Sequence, residues 1–388
     1  MEKKANIFVI CAPEISPILH EEIKALGYTQ TKEHRLGVQL FGTLVDCMYL
    51  NLQLRTANKV LWEVSKFYAA NPDQLYQKAI NIPWEEELDI DGYFNIDSFV
   101  KNDTITDSRF ANLKLKDAIA DRYMNAHKKR PDSGPEKDKV RIYMHWVETE
   151  CILYYDTSGA VIAKHGYRKI PGTAPMLESL AAAVIMASKW DQKSPFINPM
   201  CGSGTLAIEA ALLATNTAPG LFRDNFGFMY LASFDENKWN EMCERAQAQI
   251  KPCEAKIYAS DISEEAIKNA QFNAEEARMH QHIEFTKSDF REIKIDEDPG
   301  VIILNPEYGE RLGEVDELVE VYKEIGDLFK KKCQGYTGYV FTGNRELGKN
   351  IGLRTKRKIP FYNGSIDCRL LEYELYRGTR REKEVTSN

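Results

Sequence analysis

The chain has 388 residues, 43% hydrophobic and 11% aromatic, enough for a sizeable core and for two or three domains. No window of 18 or more residues is apolar throughout, which argues against a membrane-spanning helix. The net charge of −7 argues against a polyanion partner only on average, because polyanions are held by local patches.

The chain begins MEKKANIFVICAPE. Its apolar run at 7–11 is too short for the core of a signal peptide and predicts a first strand. Further strand-like runs follow at 37–41, 60–67, 93–100, 140–147 and 151–155, with amphipathic segments between them, so residues 1 to about 160 read as α+β. The stretch 113–126 places Leu115, Ala118, Ile119 and Ala126 near one helical face, with Ser108 as an earlier cap. Residues 112–130 carry six Lys/Arg against two Asp, a first basic patch. KKRPDSGPEKDK, residues 128–139, contains no apolar residue and reads as a loop. A helix is predicted within 166–194, with Pro175 in its first turn and Leu177, Leu180, Ala181, Val184 and Ser188 on one face.

From about residue 195 the pattern becomes β-α-β-α. The strands PFINP, KIYASD, IEFTKSD, GVIILNP and GYVFTG read as apolar runs separated by helices, which predicts a mostly parallel sheet covered on both faces. Two last strands, near 354–359 and 369–376, predict a closing hairpin and an antiparallel strand at that end. A second basic patch, 345–369, holds seven Lys/Arg against one Glu and one Asp. The eight cysteines show no C-x-x-C and no zinc-ligand spacing, so reduced thiols in a cytosolic protein are expected. The seven histidines form no H-x-x-x-H pair, and no metal is expected.

PFINPMCGSGTLAIEAALLA is strand, glycine turn, helix. Gly202 and Gly204 admit a ligand close to the backbone, and the helix start offers unpaired N–H groups and a positive dipole end. GSGTLA also fits the dinucleotide fingerprint G-x-G-x-x-A, but that fingerprint wants an acid about 20 residues on, ending the next strand, and here the next strand ends only at Asp261, far beyond that spacing. Asp261 either accepts from ribose hydroxyls or caps the next helix, for which Ser263 competes. Asp289 either accepts from an adenine amine or is a plain loop acid.

VIILNPEYGERLG, residues 301–313, ends an apolar strand at Asn305-Pro306, with Tyr308 and Gly309 after it. An exocyclic amine on a nucleobase is a poor nucleophile because its lone pair is delocalised. Two fixed acceptors, the Asn305 side-chain oxygen and the Pro306 carbonyl, would turn that lone pair toward an electrophile, while Tyr308 stacks on the base.

With these residues in view, the chain resembles the class I S-adenosylmethionine-dependent RNA methyltransferases through NPMCGSGTLAIEAA, SDIS and NPEYGERL. It resembles their THUMP-bearing branch, of the bacterial 23S rRNA guanine-N2 (RlmL) type, through NDTITDSRFANLKLKDAIADRY and HGYRKIPGTAPMLESLAAA. The resemblance implies a Rossmann-like seven-stranded methyltransferase domain over 166–388. Ahead of it would lie a ferredoxin-like region over 1–55 and a THUMP RNA-binding domain over 56–165. It implies S-adenosylmethionine held by Asn198, Met200, Cys201, Gly202, Gly204, Asp261, Ile262, Asp289, Phe290 and Asn305. It implies methyl transfer to a guanine N2 gripped by Asn305, Pro306 and Tyr308, with transfer RNA guanine or adenine N6 as alternatives. RNA would meet Lys114, Lys116, Arg122, Lys128, Lys129, Arg130 and Arg168. The family usually carries Asp where this chain has Asn198, and a second Pro where it has Glu307.

Overall fold

The computed structural model describes residues 3–376 except 106, 138, 172–175, 294, 296–297 and 309–313. The chain forms two compact units. One comprises residues 1–12, 19–162 and 223–246, the other 13–18, 163–222 and 247–388.

The N-terminal part runs β1 (Ala5–Ile10), α1 (Ser16–Ala25), β2 (Lys32–His34), β3 (Gly37–Gly42), α2 (Leu44–Gln53), β4 (Lys59–Tyr68), α3 (Pro72–Ala79), β5 (Tyr93–Lys101), α4 (Ser108–His127), β6 (Asp132–Ser133), β7 (Val140–Val147) and β8 (Glu150–Asp156). The strands form one sheet in the order β2-β3-β1-β4-β8-β7-β5-β6. β4 pairs antiparallel with β1 on one side and β8 on the other, so the regions expected to be ferredoxin-like and THUMP share a sheet. Alternation dictates the burial: Ile142, Met144 and Trp146 of β7 are fully buried, while Tyr143 and His145 are not. The α4 face of Ala111, Leu115, Ala118, Ile119 and Tyr123 is buried. Asp107, not Ser108, caps α4, its side chain accepting from Arg109 N, a bond typically worth ~1 kcal/mol. The polar stretch expected to be all loop contributes the two-residue β6, paired with β5.

The C-terminal part runs α5 (Glu178–Ser188), β9 (Phe196–Pro199), α6 (Thr205–Ala214), α7 (Glu236–Ala248), β10 (Ile257–Asp261), α8 (Glu264–Glu276), β11 (Ile283–Lys287), β12 (Val301–Leu304), α9 (Glu314–Lys331), β13 (Thr337–Thr342), α10 (Arg345–Lys349), β14 (Arg357–Asn363) and β15 (Ile366–Glu374). The strand order is β11-β10-β9-β12-β13-β15-β14. β9 to β13 are parallel, and β15 enters antiparallel between β13 and β14. β9 and β12 are buried at every residue, as parallel strands covered on both faces must be. The chain steps from β9 outward to β10 and β11, then returns to β12 on the other side. The switch point of this doubly wound sheet therefore lies at the C-terminal ends of β9 and β12, where such sheets hold ligands. Leu180, Ala181, Val184 and Ser188 of α5 are buried as expected; Pro175 lies outside the described residues.

Residues 223–246 belong to the first unit although β9 and α6 precede them. Phe228 N donates to Thr157 O, and Ser233 donates its N–H and hydroxyl to Glu87. Gly227 lies so close to Asp156 that a Cβ there would sit 2.2 Å from the Asp156 carbonyl oxygen. Phe226, Phe228, Phe234 and Trp239 form a ring cluster, and the Arg223 guanidinium lies 5.0 Å above Phe226. Among the described residues no helix is long and apolar enough to cross a membrane, and no cluster of ligating side chains suits a metal.

Candidate functional site

The site is built at the C-terminal ends of β9, β10 and β12. After β9 the backbone turns left-handed three times, at Met200 (φ 57°), Gly202 (φ 53°) and Gly204 (φ 84°). A Cβ at Gly204 would meet the Ala270 Cβ at 2.9 Å, so α8 packs directly on that glycine. At Gly202 a Cβ would meet nothing within 4 Å, so space lies open over its backbone. No side chain caps α6, whose N-terminus follows the turn and carries the positive end of the helix dipole.

Asp261 ends β10. Its Oδ2 accepts from Gly202 N at 3.0 Å and its Oδ1 from Ser263 N at 3.0 Å. Ser263 caps α8 by accepting from Ala266 N. Asp261 is thus not the cap. It braces the glycine turn and retains lone pairs on both oxygens for further donors. Ile262, next along, is 66% exposed, a bare apolar surface beside the turn. Asp289 follows β11 and caps a short 3-10 helix. Arg291 holds it through its backbone N–H and guanidinium, which keep the Asp289 carboxyl below the usual aspartate range. Any adenine amine would share that carboxylate with Arg291. Phe290 is buried in the core beneath, with the Arg291 guanidinium 5.7 Å over its ring.

Two side-chain oxygens stand out. Asn198 is fully buried, and its Nδ2 donates to Ile303 O at 2.9 Å, tying β9 to the end of β12. Its Oδ1 has no hydrogen-bond partner. Neither has the buried Oδ1 of Asn305, on the next strand end. Leaving a buried acceptor unpaired costs roughly 1–3 kcal/mol, which a ligand bearing N–H groups would offset. Pro306 is buried and Glu307 exposed. Tyr322 OH donates to the Glu307 carbonyl oxygen at 3.3 Å, which fixes the loop from below. The Cys201 thiol is buried in the turn, and burial, then the Asp261 charge, push its pKa far up; it is a packing group, not a nucleophile.

Asn198, Met200 to Gly204, Asp261, Ile262, Asp289, Asn305, Pro306 and Tyr308 therefore lie at or just beyond the C-terminal ends of β9 to β12. Arg168, expected to meet RNA, has a side chain 8% exposed, paired with Glu178 at 3.0 Å and donating to Met176 O and Thr205 Oγ1, contacts that secure the start of α6. Lys114, Arg122 and Lys129 pair with Asp73, Glu85 and Asp91. Among the described residues no ion pair holds Lys116, Lys128 or Arg130. Sequence reasoning missed Asn273. It is fully buried on α8, donates to Ser203 O and Ile170 O, and accepts from Lys169 N and Ile170 N. It clamps the glycine turn to the segment before α5 across 70 residues of sequence.

A family model for an RMKL-like methyltransferase domain matches residues 165–372, one for the RlmL ferredoxin-like domain 6–61, and one for the THUMP domain 69–156. The chain is 34% identical over 97% of its length to a ribosomal RNA large subunit methyltransferase K/L of Syntrophotalea carbinolica, covering 54% of that protein. It thus spans about half the length of the K/L relatives it matches. It is 34% identical to a putative RNA methyltransferase of Synechocystis sp., with 95% of this chain and 96% of that protein covered. A crystal structure of a putative methyltransferase complexed with SAH superposes with a TM-score of 0.88 at 27% identity, covering 98% of this chain and 100% of that one.

Proposed function

This chain belongs to the RMKL-like methyltransferase family, with THUMP and RlmL ferredoxin-like domains ahead of the catalytic part, and from that premise we propose a reaction. It transfers the methyl group of S-adenosylmethionine to the exocyclic N2 of a guanine in RNA, with 23S rRNA as the substrate. One observation carries the reading: the buried, unpartnered Asn305 Oδ1 just after β12, the strand paired with the β9 that leads into the glycine turn.

The residues present suit the cofactor. The open backbone at Gly202 and the α6 N-terminus would take its methionine part, and the unpaired Asn198 Oδ1 lies at the same strand end. Asp261 would accept from the ribose hydroxyls, and Ile262 would lie against the adenine. When bound, the cofactor supplies an electrophilic methyl on a sulfonium, whose sulfur keeps the bonding electron pair as the methyl leaves.

The protein's share is positioning. Asn305 Oδ1 and the Pro306 carbonyl accept from the two N–H bonds of the target amine, which turns its lone pair toward the methyl. As charge grows on that nitrogen these acceptors bind more tightly, and one of them or a water takes the proton. Tyr308 stacks on the base and sets its plane. A base inside a duplex cannot reach a strand end, so the target is flipped out or already unpaired. The eight free cysteines suit a reducing, cytosolic setting.

The test is methyl transfer from labelled S-adenosylmethionine onto unmodified ribosomal and transfer RNA, followed by nucleoside mass spectrometry. N2-methylguanosine in 23S rRNA is expected. The same product in transfer RNA would move the substrate and keep the chemistry. Binding of NADH in place of S-adenosylmethionine, or no transfer at all, would overturn the reading.

A further inference from the structure

Tyr308 carries the ring assigned to the target base, yet it lies in a loop just beyond β12. Groups distant in sequence hold it, and the Cys368 thiol of β15 also hydrogen-bonds its side chain. Asn363, at the tip of the β14–β15 hairpin, donates from Nδ2 to the Tyr308 hydroxyl at 2.9 Å. Asn344, after β13, reaches the Tyr308 carbonyl oxygen from Nδ2 at 3.5 Å. Gly343 lies against the ring face: a Cβ there would sit 3.0 and 3.1 Å from Tyr308 Cδ2 and Cε2, and 2.7 Å from Ile366 Cγ2 across the hairpin. Gly343 does not have positive φ, so the close approach, and not the backbone conformation, is what glycine serves here.

The hairpin tip is itself well fixed. β14 and β15 pair in register from Arg357↔Glu372 to Asn363↔Ile366, and the turn contains Gly364 at φ 61°. Asn344 accepts from Glu346 N and Leu347 N, which caps α10. Asn363 and Asn344 are thus each anchored by an element of their own.

We propose that Asn363 is a positioning residue for the methyl-transfer site: from the tip of the closing hairpin it sets the angle of the Tyr308 ring against the target base. The proposal rests on Tyr308 being the stacking ring. A phenol free to swing would still contact a base, but would hold its amine away from Asn305 and Pro306 for much of the time. Asn363 acts only through the phenol oxygen, so its contribution vanishes when that oxygen is removed.

The experiment is a double-mutant cycle on the full chain. It uses labelled S-adenosylmethionine and total RNA from cells lacking this protein, which contains the target unmodified. Asn363→Ala should lower kcat about 2- to 13-fold, the worth of one hydrogen bond, and leave the S-adenosylmethionine Kd within about twofold. Tyr308→Phe, which keeps the ring but also removes the contact with Cys368, should lose at least as much. The double variant should be no worse than the poorer single one. Losses that multiply, or an Asn363→Ala enzyme with unchanged kcat, would overturn the proposal. Should Asn363→Ala fail to bind cofactor or to melt cooperatively, Tyr308→Phe is read against Cys368→Ala: full activity of Tyr308→Phe, or a loss that Cys368→Ala reproduces in full, overturns the proposal, and a kcat loss beyond that of Cys368→Ala with unchanged cofactor affinity supports it. Tyr308→Ala separates the two levels of inference. If it abolishes transfer while Asn363→Ala and Tyr308→Phe are silent, only the positioning role fails. If Tyr308→Ala is itself silent, or the unsubstituted protein transfers no methyl, the reading of the site fails with it.

Discussion

An asparagine with a buried oxygen and no partner is costly to keep, and the two at positions 198 and 305 differ in what they do. Asn305→Ala should leave S-adenosylmethionine binding, read by calorimetry, within severalfold and lower single-turnover methyl transfer by about 10²–10³, the usual loss of one fixed polar partner in a transition state. Asn198 is also a donor, and its Nδ2 on Ile303 O would become an oxygen facing an oxygen in Asn198→Asp. The ligand-free variant should be destabilised by roughly 1–3 kcal/mol in urea melts. A buried carboxyl that holds its proton when folded and loses it when unfolded destabilises more as pH rises, so the deficit should be larger at pH 8 than at pH 5. An Asn198→Asp protein as stable as its parent at both pH values would refute this account of Asn198. The amide nitrogen of Asn198 joins the two strand ends that form the site.

At the scale of elements, the glycine turn depends on α8 as much as on β9 and α6. Gly204→Ala places a methyl 2.9 Å from Ala270 in a backbone at φ 84°, so the turn or α8 must shift. The expected result is cofactor affinity lowered by at least tenfold with the melting temperature down by a few degrees, measured by calorimetry and thermal denaturation. The turn itself was legible in the sequence, as were the parallel strands, because continuous apolar runs and paired glycines are local signals. So was the Asn-Pro-x-Tyr strand end. What was not legible depends on distance along the chain. Asn273 reads as one polar residue in an amphipathic helix, and only the fold brings it to Ser203. Asn363 reads as half of an Asn-Gly turn, and only the sheet order, with β15 inserted beside β13, brings that turn to Tyr308. Arg168 reads as one more exposed basic residue, and only the fold shows it buried against Glu178. β6 is two residues long in a stretch without apolar residues, below the reach of any periodicity.

For the whole molecule, charge and thiols give two tests. The net charge is −7, and three of the basic residues on and after α4 already pair with acids, so phosphates of the proposed RNA substrate would compete with those carboxylates. RNA affinity should fall steeply between 50 and 200 mM salt, with a log–log slope reduced by about one when either Lys128 or Arg130 becomes Ala. A flat salt response would remove the first basic patch from the interface. The eight cysteines are all unpaired, six buried and two, Cys243 and Cys253, partly exposed. Burial raises every one of the thiols resolved, Cys11, Cys151 and Cys333 to about 12, so a thiol reagent at pH 8 should titrate about two groups in the native protein and eight in denaturant. More than two fast-reacting groups in the native state would show that the buried set is more accessible than its packing implies.

The return of residues 223–246 to the first unit bears on how the molecule is made. A ribosome delivers sequence in order, and the first 162 residues leave the exit tunnel without Phe226, Phe228, Phe234 and Trp239. Until those rings arrive, the surface they are to cover around Asp156 and Glu87 stays uncovered, while β9 and α6 are already emerging. The first unit is therefore complete only once residue 246 has emerged, after β9 and α6 of the second unit are already made.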